Sequence, residues 1–147
     1  MKNWPWYLPA LGAAIVWGLH YPLVDNALKR LSPATVLLIT ALPVLGFAAF
    51  MYRRVAADLL SLRQMAPGEY GPIVAIAATS LAGSLLLYAA IGAKNATLAS
   101  VIEISYPLFV ALFAWLLFRQ VHWNAAVLLG GALVFAGVTL IIVNSRQ

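Results

Sequence analysis

The chain alternates long apolar runs with short polar connections. Five apolar runs, covering about residues 6–28, 34–52, 70–92, 98–118 and 125–143, are each roughly 19 to 23 residues long. A helix of that length crosses a hydrocarbon core of about 30 Å. The pattern therefore predicts an all-α integral membrane protein with five transmembrane helices, forming one domain over residues 1–147.

The longest polar connection runs from Arg53 to Glu69. Leucines interleave with its charges, which is typical of a short helix lying on the membrane surface. The pair Pro67-Gly68 predicts a turn that closes this segment before the third span. Since the other connections are short, we expect successive helices to be antiparallel neighbours in one bundle.

Basic residues are divided almost equally between the two sides of the membrane. With five spans, one side receives Lys2, Arg53, Arg54, Arg63 and Arg119, and the other receives Lys29, Arg30, Lys94 and Arg146. Membrane orientation normally follows an excess of Lys and Arg in the cytoplasmic loops. The balance here gives only a weak preference for a cytoplasmic N-terminus, so we expect the chain to insert in both orientations.

The composition supports a membrane protein and excludes several other classes. Hydrophobic residues make up 64% of the chain, charged residues 9%, and no cysteine is present. The net charge of +5 comes from basic residues at membrane borders, and no basic patch suited to nucleic acid is visible. No nucleophile elbow, phosphate-binding loop or zinc motif occurs, so we expect no enzyme, cofactor or metal. An intramembrane enzyme assembled from distant residues is the alternative.

Glu103 is the leading candidate functional residue, because an ionisable group inside a membrane span is costly and usually serves a cavity or a partner. Helical spacing places it on one face with Ser100, Tyr106 and Pro107. Pro107 also leaves a backbone carbonyl without its helical donor. This face predicts a site for substrate or for a transported proton. The alternative is a structural carboxylate, held by a neighbouring hydroxyl or by Lys94.

A second polar face lies in the first span, where His20 shares a helix side with Trp17 and Tyr21, beside Pro22. A histidine in that position can relay protons or contact substrate. It can equally be a packed residue bonded to a neighbouring helix. Tyr88 in the third span presents a further hydroxyl to the expected cavity, with structural packing as its alternative.

Small residues repeat along one face of the fifth span at Ala126, Gly130 and Gly137. Such a face lets two helices approach closely. It predicts helix packing, either within one subunit or at a dimer interface, and the sequence leaves both open.

Several of these elements occur together in an order that resembles a known family. They are Trp17-Gly18, the stretch from Ala89-Ala90 to Leu98-Ala99-Ser100, Pro107 with Phe109 to Leu117, and Gly130-Gly131-Ala132-Leu133 with Ala136-Gly137-Val138. In this order the chain resembles the EamA domain of the drug/metabolite transporter superfamily. Members often end the fourth helix with a Gly-Glu pair, where this chain has Arg119-Gln120.

The resemblance implies a small-molecule transporter in a bacterial inner membrane. Family members typically have ten helices in two inverted five-helix repeats, so this chain corresponds to one repeat. A lone repeat reproduces that arrangement by pairing as an antiparallel homodimer that works by alternating access, with a mid-membrane cavity lined from both subunits. Coupling to protons is expected from Glu103 itself, because a carboxyl group buried in a membrane span can exchange a proton for substrate. Alternatives are a non-transporting subunit that pairs with another EamA-like chain, or a flippase for lipid-linked substrates.

Overall fold

A computed structural model describes residues 5–121 and 124–144, and within these ranges the regular structure is entirely helical. The seven α-helices are α1 (Tyr7–Leu28), α2 (Pro33–Phe50), α3 (Tyr52–Leu62), α4 (Tyr70–Ala93), α5 (Ala96–Glu103), α6 (Tyr106–Phe118) and α7 (Ala125–Asn144). A 3₁₀ turn at Pro67–Glu69 leads into α4.

Five segments are long and apolar enough to cross a membrane, as the sequence predicted. They are Tyr7–Leu28, Pro33–Phe50, Pro67–Ala93, Ala96–Phe118 and Ala125–Asn144. Their ends agree with the predicted spans to within a few residues. The fourth segment differs from the others, because it consists of two helices, α5 and α6, rather than one. Two residues of the charge count, Lys2 and Arg146, lie outside the described residues.

Polar side chains fix where several spans begin. The Ser32 hydroxyl accepts a hydrogen bond from the Thr35 amide at 3.3 Å, and Pro33 occupies the first turn of α2. Asn95 accepts from the Leu98 amide at 2.8 Å at the start of α5, and Asn124 does the same for Val127 at the start of α7. These caps satisfy amide groups that a helix start leaves without partners.

The chain divides into two compact units, and the first ends at Ala93. In this unit α1 packs against α2 and α4, and α2 also packs against α4. Its most buried side chains are Val24 near the end of α1, Val36 near the start of α2, and Tyr88 and Ile91 near the end of α4. An up-down-up course of three helices brings these positions to the same end of the unit.

The second unit begins at Lys94 and contains α5, α6 and α7. The rings of Phe109 in α6 and Phe135 in α7 meet edge to face, with their centroids 6.5 Å apart. One turn earlier on α7, Gly131 faces the side chain of Leu108. A side chain at Gly131 would therefore intrude on α6, and glycine permits the close approach.

Most of the apolar surface of the spans is not covered by the chain itself. In each of the five segments only 6% to 11% of the most apolar stretch is buried. Large side chains such as Ile15, Phe50, Ile76 and Leu133 are exposed. Surface of this extent is stable only against lipid or another protein.

Candidate functional site

The fourth span is interrupted at its most polar point. Helix α5 ends at Glu103, and α6 begins at Tyr106 after the two turn residues Ile104 and Ser105. Two short-range hydrogen bonds close the gap, from the Ser105 amide to the Ile102 carbonyl and from the Leu108 amide to the Ser105 carbonyl, each 3.2 Å long. Both span three residues instead of the four of an α-helix, so the backbone tightens here.

The local sequence accounts for the interruption. Pro107 has no amide hydrogen to donate to the carbonyl of Glu103, and its ring fits the first turn of a helix better than its interior. The Ser105 hydroxyl donates to the Ile102 carbonyl at 2.8 Å, which supplies a local partner for the disturbed backbone. Pro107 predicts the missing amide donor, whereas the role of Ser105 and the end of the helix at Glu103 are findings of the structure. The sequence Ser105-Tyr106-Pro107, which begins two residues after Glu103, is the signal from which this helix end could have been predicted.

Glu103 is the last residue of α5, about 10 Å along the helix from Ala96. Its side chain is partly buried. The C-terminus of a helix carries partial negative charge, and the Glu103 carboxylate adds its own charge at the same point. The interruption therefore places a carboxyl group beside the backbone carbonyls of a helix end, within an apolar span.

The two hydroxyl residues predicted beside Glu103 lie in different environments. The Ser100 hydroxyl, also in α5, donates to the Thr97 carbonyl at 2.9 Å, so only its acceptor lone pairs are left for a ligand. Tyr106 begins α6, and its side chain is 59% exposed. Because two turn residues separate Tyr106 from Glu103, the two residues are not on one continuous helix face. Of these two, Tyr106 is better placed to meet a molecule outside the chain.

The aromatic face predicted on α1 is present as a contiguous cluster. The Trp17 ring lies 5.1 Å from the His20 ring and 5.6 Å from the Tyr21 ring, measured between centroids. His20 and Tyr21 are partly buried, whereas Trp17 is 53% exposed. His20 lies about 12 Å from Leu28 at the end of the span, well inside the hydrocarbon thickness.

Pro22 adds a backbone acceptor to this cluster. It lies inside α1 and has no amide hydrogen for the carbonyl of Gly18, which is one turn away. Nothing lies within 4 Å of the position that a Gly18 side chain would occupy. The α1 cluster thus combines aromatic rings, an imidazole and a carbonyl without its helical donor on one accessible stretch of helix.

The remaining predicted residues are less informative about chemistry. Tyr88 is buried, with 5% of its surface exposed. Around Gly130 and Gly137 a side chain would meet nothing within 4 Å, and Ala126 is exposed. The close helix contact in the second unit uses Gly131 instead, a residue that the predicted stripe did not include.

No group of three potential metal ligands occurs in residues 5–121 and 124–144. Two groups of predicted residues are positioned by the structure, the Glu103 interruption in the second unit and the α1 cluster in the first. Each combines polar or aromatic side chains with a proline that supplies no amide donor to the carbonyl one turn before it.

Comparison with known families gives one result. The model of the EamA-like transporter family matches residues 4–143, nearly the whole chain. No curated protein and no solved structure matches the chain at a significant level.

Proposed function

We propose that this chain, which belongs to the EamA-like transporter family, moves a small organic cation across a membrane by alternating access in exchange for protons. Family membership and five apolar spans make it an integral, multi-pass membrane protein of a transporter family. The substrate class, the proton coupling and the subunit arrangement are our proposal, and the following observations support them.

The observation that carries the proposal is Glu103 at the interruption of the fourth span. Transporters commonly bind substrates and ions where a membrane helix is discontinuous, because backbone groups are available there for ligands. A carboxylate at that point can hold either a proton or a cation. Such alternation at a single group couples the two movements, since binding of one releases the other.

The α1 cluster supports an organic rather than an inorganic cation. Aromatic faces attract organic cations such as quaternary ammonium groups, and Trp is the strongest of these rings. The exposed Trp17 offers a face of this kind, with His20 and Tyr21 beside it. We propose that the cluster selects for flat or alkylated cations during transport.

We further propose that two copies assemble in opposite orientations. Alternating access in such families uses two structural repeats related by an axis in the membrane plane. When two five-span repeats are joined in tandem, the odd number of spans places the second repeat in the membrane in the opposite orientation to the first. A chain with a single repeat can form the same inverted pair only with a second copy inserted in the opposite orientation. The nearly even division of basic residues permits this, and the open surroundings of Gly130 and Gly137 leave room for a partner helix.

Transport is tested with purified protein in lipid vesicles that are more acidic inside than outside. We expect the aromatic cation ethidium to accumulate in these vesicles beyond the level in protein-free vesicles. Glu103→Gln removes the exchangeable charge and should abolish the accumulation. Glu69→Gln is the matched control, because the exposed Glu69 accepts from the Ala66 amide at 2.7 Å and a glutamine oxygen can still accept there.

Accumulation by Glu103→Gln at the wild-type rate would show that Glu103 is not the exchange group. If the unaltered protein moves neither ethidium nor a panel of neutral and anionic metabolites, the chain is a non-transporting subunit. Movement of fluorescent lipids between leaflets, without ethidium uptake, would instead indicate a flippase.

Subunit orientation is tested by fusing the C-terminus separately to a reporter active only in the cytoplasm and to one active only outside it. Comparable activity of both fusions supports an antiparallel homodimer. Activity of one fusion alone excludes an inverted pair of identical chains and points to a partner chain of opposite orientation.

A further inference from the structure

Helix α3 is connected at both ends to membrane-spanning segments. Only Met51 separates it from the end of the α2 span at Phe50. At its other end the Leu62 carbonyl accepts a hydrogen bond of 2.7 Å from the Tyr70 hydroxyl, and Tyr70 is the first residue of α4. The helix is 11 residues long, about 16 Å. Because it is connected at both ends to spans that cross the bilayer, it cannot move far from the border.

The residues of α3 are sorted onto two opposite sides. One side carries only apolar and aromatic positions, namely Tyr52, Val55, Ala56, Leu59 and Leu62. The other carries Arg53, Arg54, Ala57, Asp58 and Ser61, and Leu60 lies at the border between the two sides. Tyr52 and Leu59 are 60% and 54% exposed, so the chain itself does not cover the apolar side at these positions.

The charges of this segment are complementary to a surface of phosphate groups. Arg53, Arg54 and Arg63 bring three positive charges to α3 and the residue after it, against the single negative charge of Asp58. The Arg53 guanidinium donates to the Tyr52 hydroxyl at 3.1 Å and lies 5.9 Å from the centre of that ring. This contact holds a phosphate-binding group beside an aromatic residue suited to the interface.

We infer that α3 lies flat in the membrane interface, with its apolar side among the upper acyl chains, and binds anionic phospholipid headgroups through Arg53, Arg54 and Arg63. A helix with opposed apolar and basic sides is most stable in that position. Lipid is the occupant that fits, because the helix is confined to the bilayer border and its basic residues match anionic headgroups. The inference is independent of what the protein transports.

The depth of the helix is measured with spin labels on the full-length protein in lipid vesicles. Since the chain contains no cysteine, one introduced cysteine gives one labelled position. Leu59→Cys places the label on the apolar side, and Ala57→Cys, about 200° around the helix, is the matched control on the polar side. We expect the label at 59 to be accessible to oxygen and shielded from a water-soluble nickel complex, and the label at 57 to show the reverse.

Lipid preference is measured as the enrichment of spin-labelled phosphatidylglycerol over phosphatidylcholine at the protein surface. Neutralising arginines with Arg53→Gln and Arg54→Gln should reduce the enrichment by about fivefold for each residue, from the typical effect of a basic residue at an anionic surface. Arg53→Lys and Arg54→Lys keep the charge and should retain most of the enrichment. High salt should weaken it in the unaltered protein.

Two results would overturn the inference. Equal nickel accessibility at positions 57 and 59 would place α3 in water, away from the acyl chains. Unchanged phosphatidylglycerol enrichment in the glutamine variants would show that these arginines do not bind lipid headgroups.

Discussion

The contact between Gly131 of α7 and Leu108 of α6 allows helix packing in the second unit to be tested with a single added carbon. A Cβ at position 131 would overlap the Leu108 Cδ2 atom and lie only 3.1 Å from Cγ and 3.2 Å from Cδ1. The whole branched end of the leucine is thus in the way. We expect Gly131→Ala to destabilise the protein.

The expected magnitude follows from two opposing effects. Alanine favours a helix over glycine by up to about 1 kcal/mol. Forcing an extra carbon into a packed contact typically costs about 1–3 kcal/mol, because Leu108 must leave its rotamer or the helices must separate. Gly130→Ala has the first effect without the second, since nothing lies within 4 Å of its Cβ position. We therefore expect Gly131→Ala to be less stable than Gly130→Ala by about 1–3 kcal/mol.

The free energy of unfolding is measured for both variants by titrating the protein in mild detergent with a denaturing detergent. A double-mutant cycle then assigns the effect to its partner. With Leu108→Ala in the background, the obstructing carbons are gone, and Gly131→Ala should no longer destabilise. Equal stabilities of Gly130→Ala and Gly131→Ala, or an undiminished cost in the Leu108→Ala background, would refute the packing argument.

Three further predictions concern a helix end, a helix start and membrane orientation. Arg119 ends α6 in the left-handed region at φ 55°, so Arg119→Gly should raise the free energy of unfolding by about 1 kcal/mol relative to Arg119→Ala, and equal values would contradict this. Asn95→Ala should lower the free energy of unfolding by about 1 kcal/mol through loss of the α5 cap, whereas Asn95→Asp, which keeps an acceptor oxygen, should not. Combining Arg53→Gln with Arg54→Gln leaves fewer basic residues on the N-terminal side of the membrane than on the other side, so the C-terminal reporter fusions should shift toward the cytoplasm. Lys29→Gln removes a basic residue from the other side and should shift the fusions toward the outside. No shift in either variant would mean that loop charge does not set the orientation of this chain.

The membrane spans could be predicted from sequence because their signal is long and redundant. About twenty apolar residues in a row leave few alternatives, so an error at one residue moves a boundary without changing the element. The helix α3 was predictable for a related reason, since leucines recur among its charges at helical spacing, and its place on the membrane surface stays a prediction. The arrangement of the spans was not predictable, because each is apolar on nearly every side and its sequence does not indicate which face meets a neighbour.

Close packing was the part of the fold that the sequence left ambiguous. Gly130 and Gly131 are adjacent and chemically identical, yet only Gly131 faces Leu108. Small residues at helical spacing favoured the side of α7 that carries Ala126, Gly130 and Gly137, because a smooth helix side lets two helices approach closely. Which smooth side of α7 contacts α6 depends on the rotation of α7 about its axis, and this rotation is set by the packing of the folded unit.

Glu103 and His20 could be chosen as candidates from the sequence, but the backbone conformation at Glu103 could not be predicted. Glu103 and His20 are conspicuous in any apolar span, because their polar groups are costly there. The end of α5 at Glu103 depends on cooperation between Pro107 and the Ser105 hydroxyl, neither of which interrupts a helix reliably alone. This interruption places the carboxylate at a helix C-terminus, where it acts together with backbone carbonyls.

Both polar clusters within the spans share one arrangement of sequence and backbone. In α1 Pro22 has no amide hydrogen for the carbonyl of Gly18 next to Trp17, and in the fourth span Pro107 has none for the carbonyl of Glu103 itself. Each proline therefore adds a hydrogen-bond acceptor where side chains already supply negative charge or aromatic faces. Acceptors, carboxylate and ring faces all favour a ligand that donates hydrogen bonds or carries positive charge. A carboxyl group and ring faces match a cation better than an anion, and this is the physical reason for testing a cation first.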